Sequence, residues 1–183
     1  MATPGILRLG DLTSVPCASR PDLVGEPTYR GLTAAGLLEE VGVVEIDPAL
    51  SDTAATQAAY GLDPPSLANC VVVGGKREGF ERLAACVVLA STRTDVNNLV
   101  KRHLDVRKAS FLPTERAVEL TGMQYGGITP IGLPEGLPVL VDALVTSAPV
   151  ILIGSGVRRS KLLLQGAVLA QLSGVEVLER LGV

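Results

Sequence analysis

Residues 68–90 read Ala68-Asn-Cys-Val-Val-Val-Gly-Gly-Lys-Arg-Glu-Gly-Phe-Glu-Arg-Leu-Ala-Ala-Cys-Val-Val-Leu-Ala90. Two apolar runs, Ala68–Val73 and Leu83–Ala90, flank a linker, Gly74–Gly79, whose glycines suit a tight reversal. Strand-length runs this close together predict an antiparallel hairpin. Parallel neighbours need a crossover of about a dozen residues or more, so the hairpin argues against a purely parallel sheet. Lys76 belongs to the turn, because the linker lacks the spacing and following helix of a phosphate-binding loop.

Outward from the hairpin, strands and helices interleave. Toward the N-terminus, apolar spacing over Leu32–Val41 predicts a helix stopped by Gly42, and Val43–Ile46 a short strand. Ser51 or Asp52 can cap a helix through Ala54–Tyr60, ended by Gly61 and the Pro64–Pro65 pair. Residues 1–32, of which 1–30 are rich in Pro, Gly, Ser and Thr, are expected to be an extension that lies on a domain spanning 33–183 or frays. Toward the C-terminus, Thr94 or Asp95 caps a helix through His103, Val106–Leu112 is a strand, and Pro113 opens a helix to Leu120 with Gly122 as its stop. Leu137–Val141, Val150–Ile153 and Ser160–Leu164 read as strands, and Val168–Leu172 and Val177–Leu181 as closing short helices. The expectation is one α+β domain with a mixed, strongly curved, barrel-like sheet surrounded by helices. No internal repeat is visible.

The densest set of chain breakers is Tyr125-Gly-Gly-Ile-Thr-Pro-Ile-Gly132, with three glycines and a proline in eight residues. Glycine admits positive φ and lets backbone N–H groups approach a ligand without a Cβ, while Pro130 stiffens the loop. Such a loop suits the wall of a small polar site. A tight crossover without a ligand fits the same composition.

Composition narrows the classes. The 183 residues are 47% hydrophobic, yet no apolar run reaches the roughly 18–20 residues a membrane-spanning helix needs. Met1–Gly10 carries no apolar signal region, so a cytoplasmic protein without membrane association is expected. Cys17, Cys70 and Cys86 show no Cys-x-x-Cys spacing and stand beside a single histidine, so neither a zinc site nor another cofactor is expected. Cys70 and Cys86 read as small core residues. His103 reads as a helix-surface residue, with a phosphate contact as its second reading. The net charge of −3 hides an uneven distribution: residues 93–116 hold six basic against three acidic side chains, and Arg158, Arg159 and Lys161 form a further basic trio. These groups can meet phosphates, or simply solvate a surface.

Three segments follow one another in a recognisable order: Gly126–Gly132, then Leu137-Pro-Val-Leu-Val-Asp142, then Ile151-Leu-Ile-Gly-Ser-Gly-Val-Arg-Arg159. With Ala54–Gly61 and Ala68–Val73, over about residues 33–175, they resemble the YbaK/EbsC family of aminoacyl-tRNA deacylases and the related editing domain of bacterial prolyl-tRNA synthetases. The resemblance implies hydrolysis of the ester between a wrong amino acid and the tRNA 3′-terminal ribose. The mischarged tRNA 3′ end is then the partner, and an aminoacyl-tRNA synthetase a second one. It further implies that backbone groups of Gly126, Gly127, Ile128, Thr129 and Pro130 hold the ester and ribose, with Gly132 closing the loop. Asp142, Gly154, Ser155 and Gly156 would add pocket wall.

Two departures matter. The family commonly carries a lysine in a Val-Lys-Thr-Leu-like run at the start of the first hairpin strand; here Asn69 holds that place. An amide keeps hydrogen-bonding capacity without positive charge. In the last turn the family often has Ser-Ala-Gly, where this chain has Gly154-Ser155-Gly156. The alternative to a deacylase is therefore a binding module for a tRNA end or small molecule on the same fold, or a hydrolase of another small ester. Single residues keep alternatives too. Asp142 reads equally as a helix N-cap, Ser155 and Gly156 as a tight turn, and Asn69 as a strand-edge residue. Thr129 is expected on an exposed loop in a functional role, catalytic together with Asn69, Gly126 and Gly127.

Overall fold

The computed structural model describes residues 4–183, so Met1–Thr3 of the expected extension lie outside the described residues. In chain order the strands are β1 Arg8–Leu9, β2 Leu12–Thr13, β3 Val15–Pro16, β4 Gly42–Glu45, β5 Ala68–Arg77, β6 Phe80–Leu89, β7 Ala109–Phe111, β8 Val139–Asp142, β9 Ile151–Gly154, β10 Ser160–Leu164 and β11 Val175–Leu178. The α-helices are α1 Glu26–Ala35, α2 Thr53–Ala59, α3 Lys101–His103, α4 Thr114–Thr121 and α5 Ala143–Ser147.

The expected hairpin is β5–β6, two ten-residue strands in register from Ala68 opposite Leu89 to Arg77 opposite Phe80. Glu78 and Gly79 turn the chain with φ of 52° and 84°, the positive pair that a two-residue turn matched to strand twist requires. β6 is the axis of a five-stranded sheet ordered β11-β8-β6-β5-β7, in which β8 runs parallel to both β6 and β11. Both faces of β6 are covered. Ala85 and Val87 face the main core with Leu32, Val43, Val141, Ile153 and Leu162. Ala84, Cys86 and Val88 point the other way, onto Val96, Val100, Leu104 and Leu181.

A second sheet, ordered β3-β4-β10-β9, is antiparallel throughout, and β1–β2 form a small ribbon. A parallel bridge between Leu67 and Leu152 joins the two larger sheets. The α+β class stands, but the barrel-like curl is not seen. Both sheets are open, because pairing between the β5 and β9 regions shrinks to that one bridge and the edges β7 and β11 do not meet.

Several elements depart from expectation for local reasons. The helix expected over 32–41 is α1, starting near Pro27 and stopped by Gly36 in the left-handed conformation. An available αL glycine six residues before Gly42 ends it first. Of residues 177–181, expected as helix, Val177 and Leu178 instead end β11, drawn into parallel pairing with β8 from Val175 opposite Val139 onward. The helix expected to reach His103 opens as a wide π turn over Val96–Val100, capped by Asp95. Residues 4–32 pack into the fold rather than fray: β3 pairs with β4, and Cys17, Leu23 and Leu32 lie in the main core. Among the described residues no helix is long and apolar enough to cross a membrane.

Candidate active site

Where the two sheets diverge beside the Leu67–Leu152 bridge, a cavity of about 310 Å³ opens. Its walls come from the start of α2, the first residues of β5, the end of β9, the face of α4 and the residues Tyr125, Gly126 and Ile128. Asn69, Gly126, Ile128 and Gly154 line it, which brings together four of the expected site residues. Asn69 is held by Thr53, whose hydroxyl donates to Oδ1 at 2.7 Å. That bond takes the amide oxygen and leaves the NH2 without a partner among the described residues.

The Gly-rich loop is built by backbone-to-backbone packing. A Cβ on Gly127 would sit 2.6–2.8 Å from the backbone O, N and C of Val157. The Gly156 N–H donates to the Gly127 carbonyl at 2.7 Å, and a Cβ on Gly154 would run into the Gly127 and Ile128 carbonyls. Two chain segments thus meet with no room for side chains, and that contact sets the cavity wall. Arg158 ties the rim: its backbone N–H donates to Gln124 Oε1, and its guanidinium to the carbonyls of Tyr125 and Pro48.

The remaining expected residues lie elsewhere. Asp142 does not line the cavity. It sits buried at the end of β8, where Oδ1 caps α5 by accepting from the Leu144 N–H at 2.8 Å and Oδ2 accepts from Gly182 N–H at 2.6 Å. Both carboxylate oxygens are committed to backbone, so the capping reading holds and the pocket reading does not. Ser155 also turns away from the cavity, its buried hydroxyl bonded to Ser160 Oγ at 2.7 Å and to the Ser160 and Val157 carbonyls. Thr129 is fully buried rather than exposed, and its hydroxyl has no protein partner. Gly156 packs its backbone against Gly25 and Thr28. Pro130 and Gly132 line a separate groove against α1 and the 133–138 loop. His103 faces Glu176 at 3.4 Å, away from the cavity.

Most of the other lining residues are not singled out by sequence, and the one that matters most is a cation. Lys161, on β10 opposite Gly154, is only 6% exposed and reaches into the cavity. Its Nζ donates to the carbonyls of Ser51 at 2.8 Å and Gly126 at 2.9 Å. Burial pushes its pKa down to about 8, helped by Arg158 and opposed by Asp52. Grouped with Arg158 and Arg159 it reads as one of three surface cations. The available signal was a lone charge in Ser160–Leu164, a strand otherwise apolar enough to be wholly buried. Cys70 also lines the cavity, but burial, with Cys86 nearby, pushes its thiol far up, which leaves little thiolate.

The family description that matches residues 47–172 is the aminoacyl-tRNA editing domain. No curated protein sequence matches the chain. Among solved structures, the hypothetical protein APE2540 superposes with a TM-score of 0.72 at 21% identity, covering 83% of this chain and 97% of that one. A candidate trans-editing enzyme for prolyl-tRNA synthetase gives 0.69 at 22% identity, covering 85% and 97%. Similarity at this level of identity shows a shared fold.

Proposed function

We propose that the chain, which belongs to the aminoacyl-tRNA editing domain family, deacylates mischarged tRNA in the cavity beside the Leu67–Leu152 bridge. The observation that carries this reading is Gly126 and Ile128 of the Gly-rich loop standing in one wall of a cavity that also holds Asn69 and Lys161. Hydrolysis needs a water oxygen to bond to the ester carbonyl carbon and the bond from that carbon to the ribose oxygen to break. The ribose oxygen takes a proton, leaving free amino acid and tRNA. Positioning and fixed dipoles are what this cavity offers for those steps.

Leu67, Leu152 and Ile153 make one side of the cavity apolar, which favours a small uncharged aminoacyl side chain over a charged one. Phe111 and Tyr125, 55% and 57% exposed, stand at its mouth and offer stacking faces to the terminal base. The tRNA 3′ end is the partner in this reading. A synthetase whose errors the chain clears is the second, as the description of the prolyl-tRNA synthetase trans-editing candidate suggests for that protein. The site of action is then the cytoplasm, where charged tRNA is used. Gly127, Thr129, Pro130, Gly132, Ser155 and Gly156 act here through the wall they build rather than by contact.

A non-catalytic binding module draws its support from Asn69, which leaves β5 without a cation at the cavity. Lys161 restores a cation to the same cavity from β10, and this favours the enzyme. The test is incubation with a panel of tRNAs mischarged with labelled amino acids. Release from at least one, well above the uncatalysed rate, is expected. Stable binding of charged tRNA with no release from any would instead favour the binding module.

A further inference from the structure

Two charged side chains are buried among the described residues, Asp142 and Lys161. The carboxylate of Asp142 is accounted for by two backbone N–H groups. The ammonium of Lys161 is not accounted for in the same way. It forms no ion pair among the described residues, and its acceptors are two neutral carbonyls. A buried charge without a counter-ion is costly, and structural roles seldom retain one. An ammonium has three donors; Ser51 and Gly126 take two, and one remains at the cavity. Beside it the Ser51 hydroxyl, also buried and lining the cavity, has no partner at all. Donors left over in this way mark the place of a ligand oxygen.

We propose that the Lys161 ammonium binds the ester carbonyl oxygen of the aminoacyl group and stabilises the negative charge that develops there as water attacks. This rests on the deacylase reading above and assigns the role of the cation within it. Depth separates the ester from the phosphate: at 6% exposure Lys161 meets the buried end of the substrate, whereas the terminal phosphodiester remains nearer the mouth. Its two carbonyl acceptors favour the protonated form, so the group acts as a cation rather than as a base. The charged and titratable neighbours are few. Arg158 opposes the charge and Asp52 supports it. Cys70 on β5 and Tyr125 share the cavity, while β4 and β9 place Val44 and Gly154 opposite Lys161. The lysine's pKa of about 8 places the loss of its charge on the alkaline side of neutrality.

Single-turnover deacylation of a mischarged tRNA by the wild-type protein and Lys161→Met tests this, with the uncatalysed rate subtracted. Methionine keeps an unbranched side chain without the charge. The expected result is a rate lower by about 10²–10³-fold with tRNA affinity nearly unchanged, as for removal of one oxyanion donor. The wild-type rate should fall as pH rises past about 8. A rate for Lys161→Met within about threefold of wild type would overturn the inference. So would a loss confined to tRNA affinity, which makes the lysine a phosphate contact, or a wild-type rate that rises through the same pH range, which makes it a base. If Lys161→Met does not fold, the direction of the wild-type pH profile decides. A wild-type protein that clears no mischarged tRNA sinks the deacylase reading and this inference together; an active Lys161→Met sinks only the inference.

Discussion

At the residue scale, the site depends on polar groups whose partners are only half supplied by the protein. Asn69 lines the cavity, its carbonyl oxygen engaged by Thr53 and its amide NH2 without a partner among the described residues. Replacing it by alanine should cost about 1–3 kcal/mol in transition-state binding, read as a drop in kcat/KM on the preferred mischarged tRNA. Asp142 shows the opposite behaviour. Asp142→Ala removes a cap and leaves the half-buried Gly182 N–H without its acceptor, so it should lower unfolding free energy by about 1–3 kcal/mol while activity per folded molecule stays close to wild type. A loss of turnover without a loss of stability would return Asp142 to the site. Lys161 also carries a stability signature. Its folded-state pKa of about 8 lies below the ordinary 10.5, so between these values the unfolded chain holds a proton that the folded one has released. Stability from this group therefore rises with pH across that window, and Lys161→Met should flatten the rise.

At the element scale, two glycine-bearing segments press backbone against backbone and so hold the cavity wall. From composition alone Gly127 reads as a ligand-facing position, where valine would block binding and spare the fold. Its Cβ would instead meet the Val157 backbone, so Gly127→Val should destabilise the protein by about 1–3 kcal/mol or more through overpacking, seen as a lower melting temperature. An unchanged melting temperature would mean that the wall yields. The hairpin, the strand Ser160–Leu164 and the helix after Pro113 were legible because turn glycines, apolar runs and stop residues report locally. β11 was not, since Val175–Leu178 is a strand only by virtue of β8 beside it, and four residues hold too little pattern to separate the two periods. Lys161 was hidden for a related reason. Sequence shows that a lysine lies in an apolar strand, but only the facing carbonyls of Ser51, just before α2, and of Gly126 in the loop show that it points inward.

At the scale of the whole molecule, the N-terminal segment is part of the structure that positions the site. Cys17, Leu23 and Leu32 sit in the same core as β6 and β10, and the Gly25 N–H donates to the Ser155 carbonyl in the turn behind the cavity. A variant lacking residues 1–32 should lose its cooperative thermal transition, because these side chains leave cavities worth several kcal/mol against a stability of about 5–15 kcal/mol. A cooperative melt in that variant would restore the view of an appended segment. At the mouth, Phe111→Ala and Tyr125→Ala should each weaken tRNA binding by about 1–3 kcal/mol while leaving the single-turnover rate at saturation nearly unchanged. The most direct measurement on the whole is a crystal structure with a non-hydrolysable aminoacyl-adenosine whose ester is replaced by an amide. The aminoacyl carbonyl should lie within hydrogen-bonding distance of Lys161 Nζ, with the adenosine against the Gly126–Ile128 wall. A ligand seated instead in the groove between α1 and residues 130–138, with Lys161 still bound only to Ser51 and Gly126, would contradict the assignment of the site.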